Sequence, residues 1–315
     1  MVLNSEYTYI DDTEKDSDSG GNQTDNNSTD SHVIDTESSK TDSDTDSNTE
    51  VDTVKGECVD GAQDYDDTTL ITWVTHCSKL FSMGSTWTIW EQPVHNVTPH
   101  SFEMSISEVT VSQYKICVTD GKCDAPDLSD NTLNYNLPEH ENFPVNGVSY
   151  FQALAFCQFA GGDLPSESEW EFAAKGSGDN LTYPWGEEKA SCDYAVLDDD
   201  LHSNGCGTGG SLEVCSIETG NTSLGLCDMS GNVWEWVKDT YHGSYDCSID
   251  TDLENCEGGE TAPPDGSSWE DNYSKRVIRG GSFNLNYSVA TVTYRNSASA
   301  EAKSVDTGFR CIKHL

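Results

Sequence analysis

Positive charge is scarce in this 315-residue chain: 16 Lys and Arg stand against 56 Asp and Glu, a formal net charge of −40. That balance argues against nucleic acid as a partner, because a polyanion needs a basic surface from which counterions are released. Anionic membranes are repelled for the same reason, whereas divalent cations such as Ca2+ are attracted. No run of about 20 apolar residues occurs, so no segment reads as a transmembrane helix. No Cys-x-x-Cys pair occurs either, which removes zinc-ribbon and thioredoxin-like spacings. The start does not read as a signal peptide, since Met1-Val2-Leu3 passes straight into polar residues.

Cysteine itself is plentiful. The twelve thiols are Cys58, Cys77, Cys117, Cys123, Cys157, Cys192, Cys206, Cys215, Cys227, Cys247, Cys256 and Cys311. Close pairs at 117/123, 192/206, 215/227 and 247/256 bracket polar loops and read as disulfide staples formed in an oxidising compartment. The expected localisation is therefore extracytoplasmic, secreted or attached to a cell surface. Together with that start, it suggests a trimmed chain that has lost a signal peptide, with a lipoprotein anchor as one form.

Residues 1–57 are mostly Asp, Ser, Thr, Asn and Glu, with 16 acids against 3 Lys, a net of −13. Such a segment buries too little apolar surface to offset its ordering entropy. It reads as a disordered acidic tether, or else as a tail that folds on a partner. Residues 58–315 form the second unit. Strands are expected at Leu70–Val74, Phe81–Met83 and Val94–Val97, as in a short β-meander. A helix follows Ser107–Tyr114 and ends near Gly121. A second helix is capped by Ser149 and stops at Gly161-Gly162. A third opens on a Ser166/Glu169 capping box and ends at Gly176. Residues 177–275 are loop-rich, and short strands reappear at Val233–Val237, Arg276–Arg279 and Gly308–Ile312. The pattern is α+β.

Several motifs stand in a fixed order. They include Phe81-Ser82-Met83-Gly84, Pro93-Val94-His95-Asn96-Val97, Glu108-Val109-Thr110, Gly161-Gly162-Asp163-Leu164-Pro165-Ser166-Glu167-Ser168-Glu169-Trp170-Glu171 and Tyr183-Pro184-Trp185-Gly186. After them come Gly225-Leu226-Cys227-Asp228-Met229-Ser230-Gly231-Asn232-Val233-Trp234-Glu235-Trp236, Arg279-Gly280-Gly281-Ser282-Phe283 and Gly308-Phe309-Arg310-Cys311. Any one is weak, but the ordered set over about residues 69–313 resembles the formylglycine-generating-enzyme (sulfatase-modifying-factor) family. The resemblance implies a modified C-type-lectin-like fold and a structural disulfide from Cys157 to Cys311. Cys77 stands where relatives have a Gly-rich turn, and with Cys58 it suggests a private staple. Gly280-Gly281 is expected at a positive φ or a close backbone approach.

The resemblance also implies metals. Asn232, Val233 and Glu235 match a family Ca2+ site, the alternative being that Asn232 and Glu235 cap backbone groups. Asp193 and Tyr194 match part of a second site. Active members oxidise a substrate cysteine with copper held by two cysteines, and Cu(I) prefers thiolates. Leu285 and Ala290 occupy those two positions, so copper is not expected here, although Ser282 beside the family's metal site is kept.

Between Phe283 and Gly308 the chain is rich in Tyr, Asn and Ser, the composition of an adaptable contact surface. Ser282, Asn284, Asn286, Tyr287, Ser288, Thr291, Thr293, Tyr294 and Arg295 are the candidate ligand contacts, for a protein or glycan; a solvated loop is the alternative. Two functions follow: a non-catalytic, exported recognition or structural protein, or a copper-dependent formylglycine-generating-type oxidase with atypical ligands.

Overall fold

The computed structural model describes residues 57–248, 254–256 and 258–315. The acidic tether expected at 1–57 lies outside them except for Glu57. Ten strands and three α-helices follow in the order β1 (Gln63–Asp66), β2 (Ile71–His76), β3 (Phe81–Met83), β4 (His95–Val97), β5 (Phe102–Ser105), α1 (Val111–Thr119), α2 (Tyr150–Phe159), α3 (Glu167–Ala174), β6 (Trp234–Thr240), β7 (Lys275–Arg279), β8 (Arg295–Ser299), β9 (Thr307–Phe309) and β10 (Ile312–His314). One sheet has the order β1-β2-β5-β10 and joins the N-terminal strands of the domain to its last. A second runs β8-β7-β6-β9, with β6 and β9 parallel; β3 and β4 form a separate hairpin. The fold is α+β and of the modified C-type-lectin-like type.

Local signals explain the helices. Thr110, Ser149 and Ser166 each cap a helix, and the residue three positions on returns the bond to the cap backbone. Trp73, Tyr114, Phe156, Trp236 and Phe309 fill one apolar cluster, while Phe102, Trp170, Phe172 and Val277 fill another. Gly280 and Gly281 both have positive φ, +93° and +80°, at the end of β7.

Three elements differ from the sequence expectation. The strand expected over 308–312 is two strands in different sheets. The chain breaks at Arg310, which turns into the interior towards Glu235, and at Cys311, which is bonded to Cys157. β1 carries no apolar alternation, and β8 is a polar edge paired to β7 with Arg295 opposite Arg279. Neither has a hydrophobic period to reveal it.

All twelve cysteines are paired: 58–77, 117–123, 157–311, 192–206, 215–227 and 247–256. Such density suits an extracellular or lumenal setting. Among the described residues no helix is long and apolar enough to cross a membrane.

Candidate functional site

Helix α3 carries the polar interior on which the candidate surface rests. The Glu167 carboxylate accepts from Arg279 Nη1 at 2.8 Å and from Arg295 Nε and Nη2, both at 2.7 Å. Glu171, one turn on, accepts from Arg279 Nη2 at 2.7 Å and Lys175 Nζ at 2.8 Å. All five side chains are buried. The guanidinium and ammonium charges outweigh desolvation and hold both carboxyls below the usual carboxylate range.

This network corrects part of the contact set. Arg295 is 4 % exposed and also donates to the carbonyls of Trp90 and His242, so it is an interior cation rather than a surface contact. Thr293 is buried with its hydroxyl on Glu91; Thr291 is buried without a partner for its hydroxyl. Ser282 is buried too, donating to Asn284 Oδ1. Composition alone could not separate these from exposed neighbours, because Arg295, Thr293 and Ser282 find their polar partners inside.

What stays accessible is Asn284, Asn286, Tyr287, Ser288 and Tyr294. Asn286 Oδ1 accepts from the backbone and hydroxyl of Ser288, fixing the turn on which Tyr287 stands. Lys189 Nζ lies 3.7 Å from the centre of the Tyr287 ring. Tyr183 and Trp185, in the same cluster, stack at 5.1 Å, and Tyr194 stacks on Trp185 at 5.1 Å. Lys189 and Trp185 are therefore members of this surface that sequence reasoning missed; only the fold brings Lys189 over Tyr287 and packs Trp185 on the same cluster. Tyr294 tilts against Trp234 at 6.1 Å.

The family resemblance places paired thiols at Leu285 and Ala290. Leu285 packs on the cluster containing Trp234 and Phe309, whereas Ala290 is buried with Tyr183, Ala190, Ala195 and Leu197. No cysteine is free to substitute.

The calcium assignment meets the same test. Glu235 gives Oε1 and Oε2 to Arg310 Nη2 and Nε at 2.7 Å, and Oε2 also takes the Trp170 indole. Asn232 Oδ1 accepts from Leu212 N, and its amide donates to Glu108. The acid of the set is thus paired with a guanidinium in this structure, and Asn232 is bonded to Leu212 and Glu108. Asp193 is exposed and its carbonyl takes the Thr219 hydroxyl; the Tyr194 ring is stacked on Trp185. Among the described residues, the three-residue groups with metal-ligand side chains are Cys192–Asp199–His202 and Cys215–Cys227–Asp228. Their cysteines are in disulfides and offer no thiolate.

Arg310 faces more acid than it can neutralise. Glu108 and Asp228 approach the Glu235 pair, and burial pushes Asp228 up to about 6 and Glu108 well above its ordinary value. Asp239, which accepts from the Glu167 and Trp269 amides, is pushed up to about 7 by burial and then by the Glu167 charge. A carboxyl with a raised folded-state pKa stabilises fully below its unfolded value and loses that contribution as pH rises through the folded value. The relevant window is pH 4 to 7. Glu167 and Glu171 act oppositely, losing their contribution only below the ordinary carboxyl range. Thermal melts are therefore expected to give a Tm at pH 5 higher than at pH 8 by on the order of 5 °C. A higher Tm at pH 8 would contradict the buried-acid account.

Residues 63–315 match the sulfatase-modifying factor enzyme 1-like domain. A serine/threonine-protein kinase Pkn1 of Chlamydia trachomatis is 31% identical over 240 residues, 71% of this chain and 35% of the kinase. A formylglycine-generating enzyme of Thermomonospora curvata is 30% identical over 185 residues, 56% of this chain and 57% of the enzyme. The chain thus spans about a third to a little over half of these relatives. Among solved structures, PvdO of Pseudomonas aeruginosa superposes with a TM-score of 0.65 at 24% identity, covering 82% of this chain and 99% of PvdO.

Proposed function

This chain belongs to the sulfatase-modifying factor enzyme 1-like family, and from that premise we propose that it is an exported, non-catalytic recognition protein. The observation that carries the reading is the state of its sulfur. All twelve cysteines are in disulfides, and apolar side chains stand at the two positions that the family resemblance assigns to copper. Cu(I) held by thiolates has no counterpart in a leucine and an alanine, neither of which has a donor atom. In place of the metal the segment offers Asn284, Tyr287 and Tyr294, backed by Trp185 and Lys189. Amphipathic rings on fixed turns give contact area at low entropy cost. Support for export comes from the disulfides, since reduced compartments do not maintain them. The partner is a protein or glycan that meets the Tyr287 surface, and a lipid-anchored form belongs to the same proposal.

The competing reading, a formylglycine-generating-type oxidase with other ligands, is addressed by a direct assay. The chain is incubated aerobically with Cu(I) and a Cys-x-Pro-x-Arg peptide, and formylglycine is read by mass. No conversion is expected while an active relative run in parallel converts the peptide. Turnover by this chain would overturn the recognition reading and require a new set of metal ligands.

A further inference from the structure

A cleft of about 590 Å3 opens beside the β3–β4 hairpin, outside the Tyr287 surface. One wall is the loop after β3, which carries Ser85, Thr86 and Trp87; the other holds Asn180, Thr182 and Glu187. The volume lies within the range of ~300–1,000 Å3 usual for small-molecule sites.

The Trp87 loop is built rather than slack. Gly84, at φ +86°, passes so close to Glu91 that a Cβ there would meet its carbonyl oxygen at 2.4 Å. Its amide donates to Glu171 Oε1, tying the loop to the buried network. The Glu91 carboxylate gathers the hydroxyls of Ser85, Thr88 and Thr293. On this anchored frame Trp87 stands 63% exposed. A rigidly held, solvent-facing indole combines apolar area with a polar tip, the character of a contact residue.

Charge narrows the ligand. Lys175 lies on the cleft floor, but its ammonium is bonded to Glu171 and to the Ser82 carbonyl. Two of its three N–H donors are thus used, its charge is matched by Glu171, and the side chain is only 2% exposed, so it presents no net positive charge to a phosphate, sulfate or carboxylate. Glu187 adds a negative charge held in place by the amide and hydroxyl of Thr182, and the chain as a whole is strongly acidic. Anionic ligands are repelled. What the walls match is a neutral molecule with one apolar face and hydroxyls at its edge. The C–H face of a pyranose ring lies flat on an indole, while the Asn180 amide, the Thr86 hydroxyl and the Glu187 carboxylate serve its hydroxyls.

We propose that this cleft binds a neutral oligosaccharide, with Trp87 as the stacking platform. The inference rests on this cleft alone, so it stands or falls separately from the loss of oxidase chemistry. The test is an array of immobilised neutral, sialylated and sulfated oligosaccharides, with an oligolysine peptide included. It is probed with the full chain and with Trp87→Ala, Asn180→Ala and Phe151→Ala. Binding is expected to be confined to neutral glycans, to fall at least tenfold in Trp87→Ala, and to weaken in Asn180→Ala. Phe151→Ala, an exposed aromatic on α2 outside the cleft, should bind as the parent does. Trp87 is a surface residue, so melting curves should match and separate lost binding from lost fold. No binding to any neutral glycan, preference for anionic glycans or for oligolysine, or full binding by Trp87→Ala would each overturn the proposal.

Discussion

A Glu167→Ala chain is expected to lose about 4 kcal/mol of stability, with its Tm falling by on the order of 10 °C. The magnitude follows from what the carboxylate holds. Arg279 and Arg295 are both buried, at 0% and 4% exposure, and three of their N–H groups end on Glu167. Tyr245 adds a fourth donor at 3.3 Å. Removing the acceptor strands two guanidiniums in a low-dielectric interior; among the described residues Glu171 is then the one carboxylate still hydrogen-bonded to either of them. Breaking one side of such a pair leaves an uncompensated charge, which costs far more than the intact pair contributes. Glu167→Gln keeps the shape and one acceptor oxygen and should cost less. Denaturant titration of both variants checks the ordering. A loss below about 1 kcal/mol for Glu167→Ala would mean that water reaches the network and that it does not organise the domain.

The second large effect concerns Cys157 and Cys311. Their bridge spans 154 residues and ties α2 to the segment between β9 and β10, and both cysteines are fully buried. Closing a loop of that length restricts the unfolded chain by about 5 kcal/mol on the chain-entropy account, against about 2 kcal/mol for the six-residue separation of Cys117–Cys123. The double variant Cys157→Ala/Cys311→Ala is therefore expected to melt well below Cys117→Ala/Cys123→Ala, with roughly twice the stability loss. Equal losses would show that native packing around the bridges, rather than the unfolded chain, dominates. Alanine is the suitable replacement because a buried hydroxyl in either place would lack a partner.

Much of this molecule was readable along the chain because the signals were local. Ser166 and Glu169 announce the start of α3 through a bond between residues three apart, and Cys192 and Cys206 close a loop short enough to be seen as one. The ordered motifs pointed to the family and its lectin-like fold before any coordinates. The partner of Glu235, a carboxylate in a ligand-like pattern, was not legible because Arg310 lies 75 residues away. Arg295 and Thr293 looked like surface contacts for a related reason. Their partners, Glu167 and Glu91, lie more than a hundred residues earlier in the chain.

The sequence by itself determined the acidic character, the abundance of cysteine, and the helices with their caps. Each is a property of a residue or of near neighbours. Which polar groups face the solvent was decided only by the tertiary structure. It buried Arg279, Arg295 and Glu235 as pairs, brought Lys189 over Tyr287, and left Trp87 exposed on an anchored loop. Burial of a charge depends on whether an opposite charge arrives beside it, and that partner comes from a distant part of the chain.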